Sequence, residues 1–161
     1  MVDQPKLEPR LSPPLGHLQA SVDDKGRLNT PAAAVEYFEA HGVDQFLCTT
    51  LDGRIALIYP LQVWLQHIEK MAAMPGKAPA AKRLAFLGNS NGAEVKPDKG
   101  GRLLLPSNLR AKIALEKQPV YLVFHSGFVK LMTKPVYEAE YMASNAHLAE
   151  DLAALEAEGL Y

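Results

Sequence analysis

Residues 22–31 read VDDKGRLNTP, and residues 97–106 read PDKGGRLLLP. Aligned on Arg27 and Arg102, the two segments agree at five of ten positions: Asp23/Asp98, Gly26/Gly101, Arg27/Arg102, Leu28/Leu103 and Pro31/Pro106. Four of these pairs have a structural task. Asp accepts hydrogen bonds from nearby backbone N–H groups and fixes a turn. Gly takes a φ > 0 position that a residue with a Cβ adopts only at a cost. Leu starts a strand that enters the core, and Pro ends that strand and opens a helix, where its missing N–H is not needed. Arg has no such task. Placed just after the bend, it projects from a rigid tip with a planar fork of donors suited to a phosphate or a guanine edge. A competing role is local: the Arg pairs with the neighbouring Asp and braces the loop. Duplication copies structural residues as readily as functional ones, so both roles stay open at this point.

Working outward, the two halves run in parallel. Each has a strand entering the Asp-x-x-Gly-Arg turn, a short strand after it, and a Pro-initiated helix, expected over 31–41 (closed by Gly42) and over 106–115. Two β-rich runs follow in each half. QFLCTT and RIALIYP are joined through Asp52-Gly53, a strong hairpin signal; PVYLVF and GFVKLM are joined through His125-Ser126-Gly127. Each half then closes with an amphipathic helix, carried by Leu61, Trp64, Leu65, Ile68 and Met71 in the first and by Leu148, Leu152 and Leu155 near the C-terminus. The leucines of the second are expected to cover the core or a neighbouring subunit. The spacer MPGKAPAAK at 74–82 divides the halves, and RLAFLG returns toward helix. The expected organisation is a disordered Pro-rich extension over 1–14, a first repeat over 15–73, a linker with a short helix over 74–89, a second repeat over 90–135, and an acidic C-terminal helix over 136–161.

Composition narrows the function. The chain of 161 residues is 48% hydrophobic and 22% charged, which suits one compact domain or two small lobes sharing a core. The apolar runs are of strand length, too short for a membrane span, and the N-terminus lacks a signal pattern, so a cytoplasmic protein is expected. The single Cys48, in the apolar stretch FLC, reads as a buried structural thiol. The five histidines show no metal-ligand spacing, LGNSNGAE at 87–94 lacks the Lys of a phosphate loop, and no nucleophile elbow is present. No catalytic residue, metal, cofactor or small-molecule substrate is expected. Net charge is −1, but six of the 18 acids lie beyond Lys134, where no Lys or Arg occurs, leaving residues 1–134 at +5. A mildly basic body with an acidic tail permits nucleic-acid binding without requiring it.

These residues resemble the MraZ family of bacterial transcriptional regulators, related to AbrB-type swapped-hairpin domains. The resemblance spans roughly residues 15–142 and rests on Gly16 seven positions before Asp23, on DDKGRLNTP, on IALIYPLQVW and on AEVKPDKGGRLLLPSNLR. It implies an α+β, β-rich fold of two tandem AbrB-like swapped-hairpin repeats forming a small pseudo-symmetric β-barrel core with short flanking helices. It further implies a repressor of the division and cell-wall gene cluster, nucleoid-associated, binding short direct repeats in promoter DNA as a ring-shaped homo-oligomer. Residue by residue, Asp23, Gly26 and Arg27 match the first family motif and Asp98, Gly101 and Arg102 the second. Arg27 and Arg102 are then the DNA-contacting groups, with Lys25 and Lys99 beside them on phosphates. Where the family often carries a Trp, this chain reads KLMTKPVYEAEY, which predicts Tyr137 in the core. Asp52-Gly53-Arg54 reads as a plain hairpin rather than a third tip. The alternative is an oligomeric protein-interaction scaffold or antitoxin-like module of the same fold, with a protein partner on the acidic C-terminal helix.

Overall fold

A computed structural model describes residues 12–160. The Pro-rich extension therefore falls mostly outside the described residues; of its last three positions, Pro14 is already buried. The described chain is α+β, with eight strands and six helices. In order these are β1 (His17–Ser21), β2 (Arg27–Leu28), α1 (Ala32–Ala40), β3 (Phe46–Thr50), β4 (Ala56–Pro60), α2 (Leu61–Ala73), α3 (Ala78–Ser90), β5 (Ala93–Val95), β6 (Leu103–Leu104), α4 (Ser107–Lys112), β7 (Pro119–His125), β8 (Phe128–Thr133), α5 (Lys134–Ala146) and α6 (Leu148–Ala157).

Six strands form one antiparallel sheet in the order β1-β7-β8-β4-β3-β5, and β2 pairs with β6 in a separate two-stranded ribbon. The order is the same from either end once the halves are exchanged. Each half's opening strand, β1 or β5, pairs with the other half's hairpin. The β7–β8 hairpin turns through Ser126 and Gly127, both at positive φ (49° and 84°), as a primed two-residue turn requires.

Every residue of β3 and β4 is buried, because both faces of the sheet are covered there. The period-2 alternation of side chains sorts them. Phe46, Cys48, Ala56 and Ile58 join the main core with Leu28, Leu103, Leu105, Leu109, Leu122 and Leu131, drawn from both halves. Leu47, Leu57 and Tyr59 face the opposite way, against Trp64 of α2 and Phe128. Helix α3 reaches Trp64 closely enough that a Cβ on Gly88 would lie 2.5 Å from the indole, and the Gly88 carbonyl accepts the buried Thr49 hydroxyl at 2.6 Å.

Helix α1 runs close to its expected span. Ala34 and Phe38 are its buried face, and Gly42 (φ +66°) stops it with Val43 N–H to Phe38 O and Gly42 N–H to Glu39 O, a Schellman closure. Other expectations need correction. Helix α4 ends at Lys112 instead of 115, because Ile113 turns extended (φ −133°, ψ 120°) and sends its own side chain and that of Leu115 into the core. Within 74–89, where a linker with a short helix is expected, helix α3 is thirteen residues long and runs on to Ser90. The acidic C-terminal helix is two helices, broken at His147, and no residue of α5 or α6 is buried, so Leu148, Leu152 and Leu155 do not cover this chain's core. Tyr137 is half-buried at the sheet edge rather than in the core. It stacks on Tyr121 (centroids 4.7 Å apart) while its hydroxyl hydrogen-bonds His17 Nδ1 at 2.8 Å, a polar partner that keeps it outside. Among the described residues no helix is long and apolar enough to cross a membrane.

Candidate nucleic-acid interface

Both Asp-x-x-Gly-Arg turns are built by one set of hydrogen bonds. In the first, Asp23 Oδ1 accepts from the amides of Lys25 (3.0 Å) and Arg27 (2.9 Å), and Oδ2 accepts from Arg27 Nε at 2.8 Å. In the second, Asp98 Oδ1 accepts from the amides of Gly100 and Arg102 at 2.9 Å each, and Oδ2 from Arg102 Nε at 2.8 Å. The backbone closes each loop the same way: Gly26 donates to Asp23 O and Gly101 to Asp98 O at 3.0 Å, while Asp23 N–H and Asp98 N–H donate to the Arg27 and Arg102 carbonyls at 2.9 Å. Gly26 and Gly101 sit at φ +84° and +79°. The Arg27 amide, with the Arg27 guanidinium behind it, holds the Asp23 carboxyl below the usual carboxylate range, and Arg102 does the same to Asp98.

The bracing pair between Asp and Arg is thus present twice, but it engages only Nε. A guanidinium has five N–H donors in a fixed fork, and the Nη groups of Arg27 and Arg102 have no hydrogen-bond partner among the described residues. The two side chains are 33% and 40% exposed, enough to offer those groups to a ligand while Nε stays tied down.

Register brings both arginines onto one surface. β2 and β6 run antiparallel with Leu28 opposite Leu103 and Arg27 opposite Leu104. Leu28 and Leu103 are equivalent positions of the two segments, so a local two-fold axis passes between them. Both are buried, and alternation along a strand then turns Arg27 and Asn29, and Arg102 and Leu104, to the outer face. Opposite residues of an antiparallel pair share a face, so the ribbon presents its two arginines diagonally across that axis. Between them lies Leu104, 55% exposed. Lys25 and Lys99 are exposed at the tips.

The helices that follow support these turns crosswise. Arg110 and Val35 each stand four residues after the repeat proline. A Cβ on Gly26 would run into the Arg110 guanidinium, and one on Gly101 would lie 2.8 Å from Val35 Cγ2. Arg110 also reaches Glu116 at 3.5 Å. On the other side the shorter Val35 leaves a cavity of about 60 Å³, which Phe38, Val43, Phe46 and Thr30 help to line. Thr30 Oγ1 is buried with no hydrogen-bond partner among the described residues. Charge differs as well: residues 22–30 hold Asp23, Asp24, Lys25 and Arg27 and are neutral, while 97–105 hold Asp98, Lys99 and Arg102 and carry +1.

All eight residues expected at the site lie on the two turns. Asn29, Leu104 and Arg110 join them unanticipated. The first two were readable from alternation about the buried Leu28 and Leu103; Arg110 had no local signal, because its partner Gly26 lies in the other half. Arg54 is not part of this surface's free charge. Its turn is closed by Asp52 Oδ1 accepting from the Arg54 and Ile55 amides (2.9 and 3.0 Å), and its guanidinium pairs with Glu140 at 3.1 Å. Cys48 is buried, and burial pushes its thiol up to about 12. Among the described residues no group of His, Cys, Asp and Glu could hold a metal ion.

No family model matches the chain. It is similar to the transcriptional regulator MraZ of Acidobacterium capsulatum, 34% identical over 145 residues, covering 90% of this chain and 98% of that one. The protein of the same name from Desulfitobacterium hafniense is 34% identical over 146 residues (91% and 95% of the two chains). That from Thermomicrobium roseum is 32% identical over 144 residues (88% and 98%).

Proposed function

The chain belongs to the MraZ family of transcriptional regulators, and from that premise we propose that it is a sequence-specific DNA-binding repressor acting as a ring-shaped homo-oligomer on promoter direct repeats. Its target is the division and cell-wall gene cluster, and its place is the cytoplasm, on the nucleoid. The observation that carries the DNA-contacting part is the outer face of the β2–β6 ribbon, where two identically built turns hold Arg27 and Arg102 by Nε and leave their Nη groups free. A two-stranded ribbon is narrow enough to enter the major groove. Lys25 and Lys99 take phosphates; Asp23, Gly26, Asp98 and Gly101 shape the turns. The reversible strand order supports reading residues 15–73 and 90–135 as tandem swapped-hairpin repeats around a small barrel.

Repetition is physically necessary on this reading. Each Asp neutralises its own Arg, and one chain's tips sum to only +1. With log affinity falling by about 0.9 per decade of salt for each phosphate held, two or three contacts bind weakly. Linked copies raise the effective concentration of the rest, by about 10²–10⁴ in avidity. Direct repeats fit a ring because every subunit meets its own copy in one orientation, whereas a two-fold dimer selects a palindrome.

The test is an anisotropy titration of the full chain with a duplex taken from upstream of its own coding region, against a scrambled duplex, at several salt concentrations. The expected result is a steep salt slope and a preference for repeated sites. In Arg27→Ala and Arg102→Ala, loss of a bidentate guanine contact worth ~1–3 kcal/mol per subunit removes the preference, with far-UV CD and oligomer size unchanged. Binding that ignores both salt and repeats overturns the reading in favour of a protein-interaction scaffold. Unfolding or disassembly of the variants assigns the arginines to bracing alone.

A further inference from the structure

Two helix pairs flank the sheet at equivalent places, the hairpin α2–α3 after the β3–β4 hairpin and the consecutive helices α5 and α6, broken only at His147, after the β7–β8 hairpin. Their charges are opposed. Residues 61–90 carry Lys70, Lys77, Lys82 and Arg83 against Glu69, a net +3. Residues 134–160 carry Lys134 against six acids, a net −5. Both leave large apolar side chains in the open. On α3, Phe86 is 71% exposed beside Leu87, in a shallow groove whose other walls are Lys82 and Arg83; neither cation has an ion-pair partner among the described residues. On α5–α6, Met142 is 72% exposed, and Tyr141, Leu148 and Leu155 are also exposed. Helix α6 has ten residues, none buried, and an isolated helix shorter than ~12–15 residues is marginal in water.

We infer that α6 of one copy docks into the α3 groove of the next, head to tail, through Leu148, Leu152 and Leu155 on Phe86 and Leu87 and through Asp151 and Glu156 on Lys82 and Arg83. The leucines recur at i, i+4 and i+7, one face of a helix, and Asp151 (i+3 from Leu148) and Glu156 (i+4 from Leu152) flank that face on either side. Charge also fixes the geometry of assembly. Two α2–α3 hairpins face to face would oppose +3 with +3, and two α5–α6 segments −5 with −5. Like charges in contact select against a partner, so the isologous two-fold contacts are disfavoured and the heterologous contact, which closes rings, is favoured. This deepens the assembly part of the proposed function and rests on it.

The test uses the full chain without DNA. Sedimentation velocity compares wild type, Lys82→Glu/Arg83→Glu, Asp151→Lys/Glu156→Lys, and the chain carrying all four changes, with far-UV CD as the fold control. The expected result is that each double reversal drives the assembly toward the 17.6 kDa single chain, and that the fourfold variant reassembles. Leu155→Ser, at an exposed position, weakens assembly with unchanged helicity. A wild type that sediments as a single chain, reversals that leave the assembly intact, or a fourfold variant that stays dissociated each overturn the inference. The failures are separable: assembly that survives both reversals leaves the DNA reading standing, and an assembly that dissociates as expected but ignores promoter DNA removes the DNA reading and keeps the interface.

Discussion

Gly26→Ala and Gly101→Ala make the same chemical change at equivalent turns, yet the structure requires unequal costs. Both glycines are near φ +80°, where a Cβ meets the following carbonyl at about 1–2 kcal/mol. What lies above each differs. At Gly101 the new methyl is 2.8 Å from Cγ2 and 3.3 Å from Cγ1 of Val35. Val35 is β-branched and stiff at χ1 within a helix, so α1 itself must give, an overpacking cost of about 1–3 kcal/mol. At Gly26 the obstacle is the end of the Arg110 side chain, which swings aside at the expense of a weak 3.5 Å contact with Glu116. The expected totals are about 2–5 kcal/mol for Gly101→Ala and about 1–2 for Gly26→Ala. At roughly 2–4 °C per kcal/mol for a chain of this size, the second turn's variant melts several degrees below the first's. Differential scanning fluorimetry at one fixed protein concentration, to hold assembly constant, reads the difference. Equal losses, or a larger loss at Gly26, refute the crosswise support of the turns.

Two further outcomes follow from the ionisable groups. Because Asp23 and Asp98 are held below the ordinary aspartate value of about 3.9, the unfolded chain takes up protons first on acidification. Their contribution is complete above that value and is lost as pH falls through the lower folded values. The melting temperature is therefore level near neutrality and declines below about pH 4, and Asp23→Asn/Asp98→Asn shows a shallower acid decline; an identical decline in the variant contradicts this account. Cys48, buried with its thiol at about 12, reacts with a thiol reagent at pH 8 only through opening of the fold, so denaturant accelerates labelling by orders of magnitude. Prompt stoichiometric labelling of the native chain places Cys48 elsewhere.

The local chemistry was legible in the sequence. Asp23, Gly26 and Arg27 make the turn their side chains imply, and Asp52-Gly53 makes a tight connection whose Asp accepts the amides that follow. The strands of both hairpins lie within a residue or two of their expected positions because short apolar runs bounded by Gly and Asp have few alternatives. What no local pattern carried was the partner of each element. That β1 pairs with β7, that Arg110 covers Gly26, and that Ile113 leaves helix for the core are all decided by residues seventy or more positions away, or by the burial they create. The acidic leucine helix showed the same limit from the other side. Its spacing specified an amphipathic helix without specifying whose surface it meets.

The exchange of opening strands between the halves has a consequence for how this chain comes apart. A fragment ending at Pro75 would keep the β3–β4 hairpin but lose the neighbour of β1, the neighbour of β3 and the far side of the Leu28 contact. Such a fragment could complete those hydrogen bonds only by pairing with another chain. Because these pairings run between the two portions of one chain, the portions are expected to melt in a single transition, and a chain nicked between them is expected to stay associated until it unfolds.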